Sequence, residues 1–356
     1  MARPLKAVIR SSALRNNLAV ARRAVPHAQV LAVVKANAYG HGLMRAVPAL
    51  QGADGFGVLE LESAVRLREA GHNRRVLMLE GPFEAAELPY FSQHRLTAAI
   101  HSVEQIAMLD QAHLPAPIDV FVKLNTGMNR LGLSPDSLPS AVDRLQASGN
   151  VSSITLMTHF ANADDARGIA WQLERFERAR AGLALPVSIA NSATLLRYPA
   201  LTQGVARPGI MLYGASPFPE QSAAQLGLLP AMTLASAIIA VQTLNPGDTV
   251  GYGGAFTAER RVRIGIVACG YADGYPRHAT TGTPILVGGQ RTRTIGRVSM
   301  DMLCVDVTDL PQAGVGTPVV LWGEGMPVED VAAAAGTVSY ELLCALAARV
   351  PVVETE

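Results

Sequence analysis

Val30-Leu31-Ala32-Val33-Val34 is a wholly apolar run, and it ends on Lys35 and the polar, glycine-punctuated stretch Ala36-Asn37-Ala38-Tyr39-Gly40-His41-Gly42. About five β-branched and aliphatic residues in a row read as a buried parallel strand, with the glycines as the loop after it. A lysine in such a place is unusual, because ammonium groups are rarely buried unless they are paired or put to use. At the C-terminal end of a parallel strand it points into the mouth of an α/β fold, where active sites lie. There a partly desolvated amine is suited to attack a carbonyl.

Working outward, eight strand candidates follow one another: Val30–Val34, Gly55–Val58, Val76–Leu79, Leu96–Ile100, Ile118–Lys123, Ile154–Thr158, Val187–Ala190 and Gly204–Arg207. Helical periodicity fills the gaps, as in Glu60–Ala70, Val103–Leu109, Leu138–Ala147 and Ile169–Leu183. Eight βα units in one run predict an α/β fold with an N-terminal (β/α)8 TIM-like barrel, since parallel strands need helical crossovers and closure leaves no edge. A doubly wound open sheet is the structural alternative. Near Pro230 the texture changes to short β-branched runs separated by turn clusters: Ala237–Val241, Val262–Val267, Pro284–Val287, Leu303–Val307 and Pro318–Leu321. Helices are expected at Val328–Ala335 and Tyr340–Ala348. The expected division is therefore a barrel over 1–230 and a C-terminal mainly-β domain over 231–356. Residues 1–10 are free to join either.

Composition narrows the class. The 356 residues carry a net charge of +1 and no basic patch, which argues against nucleic acid as a partner. No apolar run reaches the eighteen or so residues of a membrane span, and no signal peptide is evident, so a cytoplasmic protein is expected. Cys269, Cys304 and Cys344 are far apart and show no metal-binding spacing; each reads as a small apolar filler, and no metal site is expected.

Placed on the barrel map, polar residues gather at the C-terminal strand ends: Lys35 after the first strand, Lys123 at the fifth, His159 after the sixth, Asn191 and Ser192 after the seventh, and Arg207-Pro208-Gly209-Ile210 after the eighth. Singly, each has a plain structural explanation; Ser192, for instance, could cap a helix. Together they offer a nucleophilic lysine opposite an anion cradle of hydroxyl and glycine amide. That pairing suits a phosphorylated aldehyde held by a Schiff base, and pyridoxal 5'-phosphate is the expected cofactor. Neither a dinucleotide fingerprint nor a Walker sequence is present.

These residues resemble a known family. Ala32–Gly42 is similar to the cofactor-lysine signature of bacterial alanine racemases, and the resemblance extends over essentially the whole chain. Supporting blocks are Val122–Gly132, Met157–Ala161, Asn191–Ala193, Arg207–Gly214, Gly270–Gly274 and Gly296–Asp301. Six blocks in the right order are a highly specific pattern, with the catabolic-type proteobacterial branch the nearest in character. The resemblance implies that Lys35 holds the cofactor aldehyde. It implies that Tyr39, Ser192, Gly209, Ile210 and Tyr340 hold its phosphate, and that Arg207 faces the pyridine nitrogen. Arg130 lies by the substrate carboxylate, and Lys123, carbamylated in the family's usual case, positions Arg130. Tyr271 and the Met300 amide come from the second domain of a partner subunit, with Asp301 beside them, so the resemblance implies a homodimer with shared sites acting on alanine.

Racemisation takes the α-proton from one face and returns one to the other, so two acid–base groups are expected, Lys35 and Tyr271. A phenol needs a neighbour that favours phenolate, and the His159–Arg207 pair at the barrel mouth is the candidate. Arg207 does not surrender its proton, so a ring nitrogen opposite it stays unprotonated, and the carbanion is shorter lived, which suits a racemase. Rival readings are another pyridoxal barrel enzyme (a basic amino-acid decarboxylase, or a racemase of another amino acid such as serine or lysine), a non-catalytic pyridoxal-phosphate carrier and a cofactor-free sugar-phosphate barrel.

Overall fold

The computed structural model describes residues 3–356. Strand β1 (Lys6–Arg10) comes first, and eight parallel strands follow: β2 (Gln29–Val33), β3 (Gly55–Val58), β4 (Arg75–Met78), β5 (Thr97–Ile100), β6 (Ile118–Lys123), β7 (Val151–Met157), β8 (Val187–Ser188) and β9 (Val205–Ala206). They pair in chain order from β2 to β8, and β9 returns to β2 through Gln29–Val205 and Val30–Ala206. Only a single bridge, Ala190–Ala206, joins the last two strands, so the barrel is nearly closed. Ser188 reinforces that seam by donating its hydroxyl to the Val205 carbonyl at 2.8 Å. The open-sheet alternative is thereby set aside.

The inside of the barrel is an apolar cluster of Leu31, Leu77, Ala99, Phe121, Met157 and Val205. Side chains on a strand alternate between its two faces. The next inward positions after Leu31, Phe121, Met157 and Val205 are therefore Val33 and Lys35, Lys123, His159 and Arg207. The apolar plug and the polar mouth are consecutive layers of one barrel, built by the same two-residue repeat.

The second domain opens with β10 (Met232–Leu244), longer than the expected Ala237–Val241 because it serves three neighbours. Its first half pairs with β1 and with Pro318–Trp322; after a register shift between Ile238 and Ala240 its second half pairs with Val262–Val267. The strands Val262–Val267, Leu303–Asp306, Gln290–Ile295, Pro284–Val287 and Pro318–Trp322 complete a ring back to β10. Four strands escaped the sequence reading, among them the short pair Thr249–Val250 and Phe256–Thr257. Gln290–Ile295 is polar over most of its length, and Val352–Thr355 is mostly exposed, so neither shows the apolar run of a core strand. The strand Lys6–Arg10 joins this sheet, antiparallel to β10 and parallel to Val352–Thr355. Helix Val328–Ala334 stands close to its expected span, whereas Ser339–Cys344 ends four residues short of the expected Ala348. The cysteine reading needs correction: Cys269 is buried as a filler should be, whereas Cys304 is partly exposed and Cys344 is exposed.

Candidate active site

Lys35 ends the first barrel strand, and the chain does not simply loop away from it. Ala36, Asn37, Ala38 and Tyr39 have φ of 52, 53, 55 and 51°, a run of left-handed residues that ends on Gly40. Non-glycine residues reach this region at about 1–2 kcal/mol each, so the turn must be held from outside. The holding groups are visible. Asn37 accepts at its side-chain oxygen from the Leu43 amide (2.9 Å), and its carbonyl accepts from the Gly42 amide (2.9 Å). The fully buried His41 ring sets Nδ1 at 3.1 Å from the Ala38 carbonyl and 2.9 Å from that of Tyr39. Burial pushes its pKa down to about 4, so the ring is neutral and Nδ1 is the donor. The turn throws Tyr39 back over the strand, stacked on Tyr213 at 4.5 Å between ring centres and 6.0 Å from Tyr340.

One cavity of about 440 Å³ is bordered by Lys35, Tyr39, Lys123, Arg130, His159, Ser192, Arg207, Gly209, Ile210 and Tyr340. Its charges are Lys35, Lys123, Arg130 and Arg207 against one carboxylate, Glu80, so it favours an anionic guest. Arg207 is 4% exposed. Burial lowers its pKa only to about 10, which leaves it a cation at neutral pH. It donates to the Ser188 carbonyl (2.7 Å), the Ser188 hydroxyl and the Thr158 carbonyl (2.8 Å). Of its five N–H donors, two take no part in these bonds. His159 is pushed down to about 3 by burial and by Arg207, Arg130 and the lysines, so it presents a neutral ring. Lys123 is lowered to about 8 by burial first and then by Arg207 and Arg130.

Asn191, rather than Ser192, caps the following helix: its side-chain oxygen accepts from the Thr194 amide at 2.9 Å. Ser192 is thereby free to face the cradle, where its oxygen accepts from the Gly209 amide (2.9 Å) and more loosely from Met211 (3.5 Å). A hydroxyl that accepts twice keeps its own proton to give to a guest. Gly209 is required for space: a Cβ there would run into the Tyr39 hydroxyl. Ile210 begins a short turn, so its amide has no acceptor inside that turn. Hydroxyl, amides and phenols converge at one end, and the Lys35 amine stands in the same chamber. This donor set fits a phosphorylated aldehyde.

The loop carrying Arg130 is braced from below. Asn125 accepts at its side-chain oxygen from the amides of Gly127 and Asn129, each at 3.0 Å. The buried Gln172 donates to the Thr126 hydroxyl (3.1 Å) and the His159 carbonyl (3.3 Å), and accepts from the Ala161 amide (2.7 Å). It thus ties the Arg130 loop to the His159 strand end. The sequence reading missed Gln172, along with Glu80 and Cys344 on the cavity wall. Gln172 could have been noticed as a polar residue beside Phe176 on the buried face of its helix.

Tyr271, Met300 and Asp301 do not border this cavity. They lie in the second domain, Tyr271 in the turn Tyr271–Asp273 and Met300 in the loop that pairs with it, with Tyr271 38% and Met300 52% exposed.

Comparison with known proteins agrees over the full length. The family described as "Alanine racemase, N-terminal domain" matches residues 9–217, and that described as "Alanine racemase, C-terminal domain" matches residues 231–354. A relative from Nitrosospira multiformis named alanine racemase is 56% identical over 352 residues, covering 98% of this chain and 99% of its own. One of the same name from Paraburkholderia phytofirmans is 55% identical over 353 residues, covering 99% of each. Among solved structures, the biosynthetic alanine racemase from Pseudomonas aeruginosa superposes with a TM-score of 0.97 at 48% identity, over 99% of this chain and 100% of that one. The alanine racemase from Acinetobacter baumannii does so with a TM-score of 0.92 at 38% identity, over the same shares. The catabolic-type expectation draws no support from the Pseudomonas neighbour, which is described as biosynthetic.

Proposed function

This chain belongs to the alanine racemase family and interconverts L- and D-alanine, and we propose that it does so with pyridoxal 5'-phosphate and two bases, Lys35 and Tyr271. The observation that carries this reading is one cavity bordered by both a strand-end lysine and the residues of an anion cradle. We take the barrel to run to residue 230 and the second domain from 231, with the Lys6–Arg10 strand joined to the latter.

In this reading Tyr39, Ser192, Gly209, Ile210 and Tyr340 hold the phosphate. Arg207 would face the ring nitrogen and would keep it from being protonated, because guanidinium is the weaker acid. The bound cofactor supplies an electron sink that acidifies the α-hydrogen of an amino acid. Arg130 orients the substrate carboxylate. Lys35 Nζ takes or gives the α-proton on one face, and the Tyr271 hydroxyl does so on the other. The cation-rich wall makes phenolate easier to form than it is in water. Lys123 among Arg207 and Arg130 is an ill-placed cation; carbamylation would make it an anion paired with both. Because Tyr271, Met300 and Asp301 lie off the cavity of their own chain, the partner's Tyr271 completes each site, and a homodimer is the working unit. A cytoplasmic setting is in keeping with three cysteines that are all free.

The test is direct. Purified protein loaded with the cofactor is given L-alanine or L-serine, and the D-enantiomer is followed by chiral chromatography. Borohydride reduction and peptide mapping then locate the attached lysine. D-alanine formation with label on Lys35 is expected; label on another lysine would overturn the assignment.

A further inference from the structure

Asp273 closes the turn that begins at Tyr271, and its carboxylate is fully buried at 0% exposure. A buried carboxylate needs partners, and this one has an unusual number. Arg3 donates to both of its oxygens, at 2.6 and 2.7 Å. Arg349 Nε donates to one of them at 2.8 Å, and the Gly270 amide donates to the other at 2.9 Å. Both arginines also reach Asp301: Arg3 donates to its carbonyl at 2.8 Å and Arg349 to its carboxylate at 2.6 Å. The bonds to Arg3 and Arg349 outweigh burial and keep Asp273 ionised.

The backbone repeats the pattern. The amides of Tyr271 and Ala272 donate to the carbonyls of Ser299 and Met300, both at 3.0 Å, and the Ala347 amide donates to the Asp273 carbonyl at 3.2 Å. A Cβ on Gly270 would strike the Ser299 and Met300 carbonyls, so turn and loop are in backbone contact. Three separate stretches of chain therefore meet on a three-residue turn whose tyrosine faces outward.

We propose that Asp273, gripped by Arg3 and Arg349, is the positioning residue for Tyr271, fixing the turn and the Met300 loop as one rigid unit that delivers the phenol to the reaction. This rests on Tyr271 being the second base. A base on a surface turn would otherwise wander, and a displacement of about 1 Å costs about 100-fold in rate. Asp273 touches no substrate; it acts through the turn alone.

A loosened Tyr271 leaves Lys35 intact. Lys35 Nζ can still take the α-proton, exchange it for a solvent deuteron and return that deuteron to the same face. In D2O, deuterium should then enter one enantiomer of alanine without inversion. The cofactor-loaded protein is compared as wild type, Asp273→Asn, Arg349→Met and Arg349→Lys, with Tyr271→Phe as the reference for a site lacking the hydroxyl. For Asp273→Asn, racemisation is expected to fall by about 100-fold. KM for alanine should hardly move, and the ratio of exchange to racemisation should rise toward that of Tyr271→Phe. Arg349→Met, at a half-exposed position, should show a smaller rise even if Asp273→Asn fails to fold, and Arg349→Lys should recover part of it. Exchange and racemisation falling in proportion in the folded variants would mean a role in the fold alone and would overturn the proposal. A wild type that neither racemises alanine nor exchanges its α-proton would remove the functional reading itself, and the clamp with it.

Discussion

Val205 and Arg207 stand two residues apart at the end of one barrel strand, one sealed in the apolar plug and the other lining the charged cavity above it. The same step separates Phe121 from Lys123 and Met157 from His159. The barrel thus converts strand periodicity into a floor and a reactive wall.

Arg207 is locked by three hydrogen bonds to Ser188 and Thr158. Arg207→Lys keeps the charge but cannot fork, so buried acceptors lose partners at about 1–3 kcal/mol each. We expect a melting temperature lower by several degrees and a kcat reduced at least about tenfold. Arg207→Glu should be worse in stability, because its carboxylate faces two carbonyl oxygens. Thermal melts and racemase assays check both; an Arg207→Lys protein as stable and active as wild type would contradict the geometry.

Gly209 has room for no side chain beside the Tyr39 hydroxyl. Gly209→Ala should leave the barrel folded yet weaken cofactor affinity by about tenfold or more, since each lost phosphate hydrogen bond costs about 1.5–3 kcal/mol. Tyr39→Phe in the same background should restore part of the loss by removing the oxygen that the new methyl meets. Cofactor titration followed by absorbance decides; no recovery would mean that the clash is relieved elsewhere.

Lys123 gives a pH signature in the cofactor-free protein. Burial, with Arg207 and Arg130, lowers its pKa from 10.5 to about 8. Below about pH 8 it is protonated in both folded and unfolded chains, and the full penalty stands. Between about 8 and 10.5 the unfolded chain binds more protons, so this group makes stability rise with pH. Lys123→Met should remove that rise and be at least as stable as wild type near neutrality, while losing activity. Bicarbonate should stabilise wild type but not Lys123→Met. Identical pH–stability curves for the two proteins would rule the argument out.

A shared site predicts complementation. Lys35→Ala and Tyr271→Phe should each be nearly inactive. Mixed dimers then hold one intact site, built from unmutated Lys35 and Tyr271 of opposite chains. Random exchange makes half the dimers mixed, so roughly a quarter of wild-type activity should return. No recovery after demonstrated subunit exchange would put both bases in one chain.

By itself the sequence determined the local elements and the chemistry available to them. The run before Lys35, the glycine-punctuated stretch after it and the eight successive apolar segments carry their own periodicities, and hydrophobic period is a local property. Strand-end polar residues were legible for the same reason, since a parallel barrel exposes one end of every strand to the same mouth. Tertiary structure alone decided the rest. The left-handed turn at Ala36–Tyr39 opposes local preference and exists because His41 and Asn37 hold it. Gln290–Ile295 and Val352–Thr355 are strands because neighbours pair with them, whatever their own composition. Arg3 and Arg349 meet Asp273 across 270 and 76 positions of chain, and nothing in a one-dimensional pattern marks such a meeting. A buried charge recruits whichever partners the fold brings near, and that is a property of three-dimensional packing.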